Sequence, residues 1–133
     1  LQSLEVRNPE DLEDAFRAAA KGRAQALVIA GAGITNSHQA KIVGLAVKTR
    51  LPVMYTSSSW LAAGGLMSYS SDQIDNYRRS ASYVDRILKG AKPADLAVQQ
   101  PTKFEFIVNM KAAKQIGLKI PPNVLVRADK VIE

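Results

Sequence analysis

The sequence predicts an α/β fold, a Rossmann-like parallel sheet flanked by helices in three layers. Short apolar runs rich in Val and Ile alternate with longer stretches whose apolar residues recur every three or four positions, the strand and helix periods respectively. Asn, Asp, Ser, Gly and Pro punctuate the joins. The resulting β-α-β-α-β order reads as a doubly wound sheet with right-handed crossovers. At 133 residues the chain is one α/β unit, residues 1–133, long enough to bury a core without disulfides or metals.

Residues 1–7 alternate as a strand. Asn8 and Pro9, followed by Glu10 and Asp11, make a helix start, with Asn8 as N-cap, Pro9 at the first helical position and acids where the helix dipole favours them. Leu12, Ala15, Phe16 and Ala19 then share one helical face, which ends near Gly22. Residues 24–30 form a continuous apolar run that suits a strand buried on both faces. Past Gly31 and Gly33 a helix is expected over 37–49 with Ile42, Leu45 and Ala46 inward, then a strand at 52–55. A polar loop and a single helical turn stop at Gly64 and Gly65. Residues 66–70 are a fourth strand, Ser71 and Asp72 open a long helix over 73–89, and Gly90 suits a left-handed cap. Residues 91–101 link to a last strand in which Phe104, Phe106 and Val108 alternate. Residues 109–116 and 122–132 finish as helices.

Eighteen Lys and Arg against twelve Asp and Glu give a net charge of +6. The basic residues scatter along helices and do not interleave with aromatics, so no nucleic-acid partner is expected. No apolar stretch approaches the roughly twenty residues that span a bilayer. Cysteine is absent and His38 is the single histidine, which leaves zinc without a ligand set. No metal and no cofactor is expected.

In open α/β sheets, ligands bind beyond the carboxyl ends of the strands. Three loops occupy that position. The first holds Gly31, Ala32, Gly33, Thr35, Asn36 and Ser37: glycines that let a ligand approach the backbone, then hydroxyl and amide groups that read equally as a turn with an N-cap. The second is Thr56, Ser57, Ser58 and Ser59, either a solvated loop or a set of ligand hydroxyls. The third is Tyr69, Ser70, Ser71 and Asp72, leading into a helix N-terminus that favours a carboxylate. Trp60 and Tyr55 border the second loop and either stack on a ligand ring or plug the core.

Gly31 and Gly33 make half a dinucleotide fingerprint, but Asn36 stands where the third small residue belongs and no acid closes a later strand. A Rossmann-like nucleotide-binding domain is therefore the weaker alternative. A receiver-like signalling domain is the other alternative, and the loops after Ala30 and Tyr55 lack the acids it needs. No G-x-S-x-G elbow pairs a serine with His38. The acids Asp11, Glu13 and Asp14 answer to the helix dipole, so no catalytic residue is assigned and the chain is read as a binder, not an enzyme.

The runs LEVRNPEDLEDAF (4–16), GGLMSYSSD (64–72), YVDRILKGAKPADLAVQQPTKF (83–104) and QQPTKFEFIVNMKAAKQIGLKIPPNVLVRADKVIE (99–133) carry a resemblance to the C-terminal part of ABC transporter substrate-binding proteins of the tryptophan- and tyrosine-binding type. The resemblance implies one lobe of a type I periplasmic binding protein fold. In that reading a strand passes through Asn109 into a short helix, then GLKIPP and a closing helix. It implies a missing N-terminal lobe carrying any export signal or lipid anchor, the chain itself starting without methionine or an apolar leader. The two lobes would close over an amino acid or related organic acid and present it to an ABC permease, from the periplasm or from a lipid anchor at the outer face of the inner membrane. By the same resemblance the first and third loops would hold a carboxylate, and Tyr55, Trp60 or Tyr69 an apolar ring. Interlobe crossings are expected at 56–59, 68–71 and 99–102. Members often place an acid or aromatic ring around 32–36, where this chain has small neutral groups. A lobe without its partner exposes apolar surface, so self-association is expected.

Overall fold

A computed structural model describes every residue except Ala32. Five strands form one sheet in the order β1 (Leu27–Ile29), β2 (Val53–Tyr55), β3 (Met67–Ser71), β4 (Phe104–Asn109) and β5 (Lys130–Ile132). All neighbours run parallel except β3 and β4. The fold class is the expected one, a mostly parallel sheet with flanking helices. Its one antiparallel pair is a departure from the all-parallel reading, because β3 and β4 are joined through an out-and-back excursion that contains the longest helix.

The helices are α1 (Asp11–Lys21), α2 (Gly33–Ser37), α3 (Gln39–Thr49), α4 (Ser59–Ala62), α5 (Gln73–Leu88), α6 (Met110–Gln115) and α7 (Pro122–Leu125). At the start of α1, the Asn8 side chain accepts from the Asp11 N–H at 3.1 Å and the Asp11 carboxylate accepts from the Asn8 and Arg7 N–H groups at 3.2 and 2.9 Å. These reciprocal bonds satisfy amides that a helix start leaves open. They also hold the Asp11 carboxyl below its ordinary value, the Arg7 amide being the main cause. Asn109 caps α6 by accepting from the Ala112 N–H at 3.2 Å. Gly90 closes α5 at φ +98°, its own N–H reaching Ile87 O and that of Ala91 reaching Arg86 O, the paired bonds of a left-handed cap.

Two clusters make the core. Leu12 and Phe16 of α1 and Ile42, Val43 and Ala46 of α3 pack on Val53, Tyr55 and Trp60. Ala112, Ala113 and Ile116 of α6 pack with Leu66 and Val108, alongside residues of α7. Strand register puts Tyr55, Ser68 and Ile107 on one face and Met54, Met67 and Val108 on the other. The two clusters adjoin: Val43, Ala46, Val53 and Tyr55 of the first and Leu66, Ala112 and Ile116 of the second line one small cavity. Each large side chain so buried contributes about 1.5–3 kcal/mol.

Four local expectations fail. Residues 1–7 form no strand; Leu4 and Val6 pack on the first cluster, but alternation only chooses a face, and a strand also needs a neighbour for its ladder. β1 is an edge strand with helices on one face, and Val28 is 71% exposed, not buried on both sides. The helix over 37–49 is broken at His38: Ser37 Oγ donates to Gly33 O at 2.9 Å and His38 Nδ1 lies 2.9 Å from Ile34 O, so side chains hold the end of α2 and α3 starts afresh. The closing helix is a single turn, α7, followed by β5, whose Val131 pairs with Val108. The free edge of β4 offered that segment a ladder, and the ladder prevailed over a short helical pattern.

Candidate functional site

Ile29, Tyr55 and Ser68 stand level across β1, β2 and β3, so the loops that follow the first two strands emerge side by side. They are tied together. The Gly31 N–H donates to Thr56 Oγ1 at 3.0 Å, and Thr56 Oγ1 donates back to Ile29 O at 3.4 Å. Gln39 Nε2 at the start of α3 donates to Ser59 Oγ at 3.2 Å, and Ser57 and Ser59 hydroxyls lie 3.0 Å apart. Asn36 closes the gap: a methyl group at Gly31 would lie 3.4 Å from its Oδ1 and 3.6 Å from Thr56 Oγ1. Thr35 Oγ1 donates to Ala30 O at 3.3 Å. Gly31, Asn36 and Thr56 thus meet at one hydroxyl- and amide-bearing surface, with Thr35, Ser57 and Ser59 bonded beside them; Gly33 is exposed and Ser58 half-buried in the same loops, and Ala32 lies outside the described residues.

The third loop is built differently. Tyr69, 54% exposed, stacks on Phe104 across the antiparallel ribbon at 5.6 Å, and half-buried Ser70 pairs with Glu105. Asp72 is buried and caps α5, its Oδ1 accepting from the Ile74 and Asp75 N–H groups at 2.9 and 3.1 Å. Its Oδ2 lies 2.7 Å from Lys103 Nζ. The Lys103 ammonium, and then the Asp75 amide, hold the Asp72 carboxyl below its ordinary value, and Asp72 in turn raises Lys103. The amide protons read from the sequence as a carboxylate site are therefore already bonded to the chain's own carboxylate.

Tyr55 and Trp60 do not face this surface. Their rings stack at 4.6 Å and 15°, 1% and 0% exposed, and burial pushes the Tyr55 hydroxyl up to about 12. Gly65 lies against them: a methyl group there would sit 2.8 Å from both Tyr55 Cε2 and Trp60 O. Of the three rings read as ligand platforms, Tyr69 is the accessible one. The stack instead anchors the second loop, whose serines sit between its two members in sequence. Sequence reasoning missed Gly65, Gln39 and Lys103; only the glycine left a signal, as half of a pair read as a helix stop.

Among the described residues no three His, Asp or Glu side chains are grouped to hold a metal ion, and no helix is long and apolar enough to cross a membrane. A concavity of about 250 Å³ lies between α5 and residues 99–101, lined by Asn76, Arg79 and Tyr83 among others.

The family of ABC transporter substrate binding proteins matches residues 1–132. The chain belongs to that family. No curated protein matches the sequence. Among solved structures, a conserved domain protein from Vibrio cholerae shares 26% identity with a TM-score of 0.84, over 95% of this chain and 42% of that one. A Streptococcus pneumonia ABC domain, solved in complex with L-Trp, shares 25% identity with a TM-score of 0.82, over 96% of this chain and 43% of its own. A ligand-free, open substrate-binding protein with adhesive properties from Clostridium difficile has the same fold at 16% identity and a TM-score of 0.68, over 96% of this chain and 42% of its own. The chain thus spans less than half the length of each of these structures.

Proposed function

We propose that this chain is the C-terminal lobe of a two-lobed solute-binding component of an ABC importer, and that its solute is an amino acid or a related small organic acid. The observation that carries this is the joined surface of the first two loops, hydroxyl- and amide-rich at the strand ends of a substrate-binding family member. Gly31 to Asn36, with Ala32 among them, and Thr56, Ser57 and Ser58 supply hydrogen bonds; Tyr69 supplies a ring, with Ser70 and Asp72 beside it. Closure of the second lobe completes the shell and the closed form is presented to the permease, in the periplasm or at the outer face of the inner membrane. Binding makes and breaks no covalent bond.

A second lobe is supported by α5. Ile74, Tyr77, Val84 and Leu88 fall at helical spacing on one face and all are exposed, a stripe of the kind that marks a covered surface. Without that cover the 133-residue chain self-associates through it; sedimentation at increasing concentration checks this, and a monomer throughout would count against a docking role for the stripe.

The experiment for function is thermal denaturation of the two-lobed protein with each protein amino acid, NAD and ATP. A solute at a hundred times its Kd stabilises the protein by about 2.7 kcal/mol, a rise of several degrees. Stabilisation by NAD or ATP with none from any amino acid would reverse the reading in favour of the Rossmann-like nucleotide-binding alternative. A receiver-like domain would respond to neither.

A further inference from the structure

The strand-end surface carries no formal charge. Charged residues make up 23% of the chain, yet residues 24–40 and 51–71 contain no Asp, Glu, Lys or Arg. These two segments hold β1, β2, all of β3 and both joined loops. Lys41 and Asp72, which end the two stretches, are committed elsewhere, Lys41 to Glu13 at 3.3 Å and Asp72 to Lys103 at 2.7 Å. No side-chain charge from either segment can reach a solute lying on this wall.

The polarity of the hydrogen bonds adds a direction. Thr56 Oγ1 donates to Ile29 O, Thr35 Oγ1 to Ala30 O, and Ser37 Oγ lies within 2.9 and 3.1 Å of Gly33 O and Ile34 O. The Gly31 N–H, which a glycine could have offered to a ligand, is bonded to Thr56. A hydroxyl whose proton goes to a backbone carbonyl has none left to offer an anion. An ionised carboxylate meets no countercharge on such a surface, and an ammonium would lose water without one.

We infer that the part of the solute lying against this lobe is uncharged, and that the ionic groups of an amino-acid solute face the opposite side of the cleft. This rests on the solute-binding reading above. It makes Asn36, at the junction of the two loops, a residue that distinguishes neutral from ionic solute faces.

The test uses the two-lobed protein and whichever protein amino acid binds it most tightly, with Kd measured by calorimetry for Asn36→Asp, Asn36→Lys, Ser58→Asp and Ser58→Lys. Asn36 is exposed and its exchange for Asp is isosteric, so folding is preserved. A unit charge within about 5 Å of a solute ion changes affinity tenfold or more, in opposite senses for opposite signs. Against a neutral face, both charges weaken binding at one or both positions, and the Asp and Lys forms agree within fivefold. A larger difference between the signs, or a tightening by either, means an ionic group faces this wall and overturns the inference, as does unchanged affinity in all four variants. If the unmodified protein binds no amino acid, it is the solute-binding reading that fails, and that result is separate from any of these.

Discussion

Helices α3 and α5 are both amphipathic, and both end in a residue of left-handed conformation, Arg50 and Gly90. They differ in what surrounds them. In its 11 residues α3 buries Ile42, Val43 and Ala46 against β2 and α1, whereas the 16 residues of α5 bury none. What holds α5 is local: the Asp72 cap, the Asp75–Arg79 and Asp85–Lys89 ion pairs, and bonds from Arg79 and Tyr83 to the strap of residues 97–102. Exposed pairs at that spacing contribute about 0.3–0.5 kcal/mol each, far less than one buried side chain. The sheet half thus buries the apolar faces of its helices. The α5 half has the amphipathic pattern of a packed element, with its apolar residues exposed.

The comparison can be broken most directly by truncating a ring on each side. Trp60→Ala in the packed half is expected to lose about 3–5 kcal/mol in chemical denaturation, while Tyr77→Ala on α5 changes stability by less than about 0.5 kcal/mol; similar losses would show that α5 is already docked. Next, Gly65→Ala forces a methyl into contact with the Tyr55 ring and Trp60 carbonyl and should cost about 1–3 kcal/mol by overpacking, seen as a lower unfolding midpoint. Asn109→Ala removes the buried cap of α6 at about 1 kcal/mol, measurable in the same way.

The smallest effect sharpens the comparison by pH. The Asp72 carboxyl titrates below its ordinary 3.8, so the stability it contributes is fully present above that value and is lost as pH falls through the lower folded value. Lys103, raised above 10.5, contributes below that value and loses its share as pH rises through the higher folded one. Hydrogen exchange should therefore show α5 amides losing protection in acid before those of α3. Asp72→Asn keeps an acceptor for the cap and abolishes that acid step; if the step persists, another group governs α5.

Local chemistry was enough to read much of this protein. The Asn8, Asp72 and Asn109 caps, the glycine ending α5, the apolar faces of α1 and α3 and the hydroxyl-rich strand ends all follow from residues within a few positions of one another, and family membership follows from the long runs after Gly64. Tertiary structure decided the rest. Whether residues 1–7 become a strand, whether Val28 is covered and whether 130–132 leaves a helix for the sheet depend on which distant backbone is free to pair. Whether Tyr55 and Trp60 meet a solute or each other depends on Gly65 bringing the backbone against their rings. A cap is satisfied within one turn of chain, but a ladder or a ring stack needs partners that only the assembled fold brings into reach.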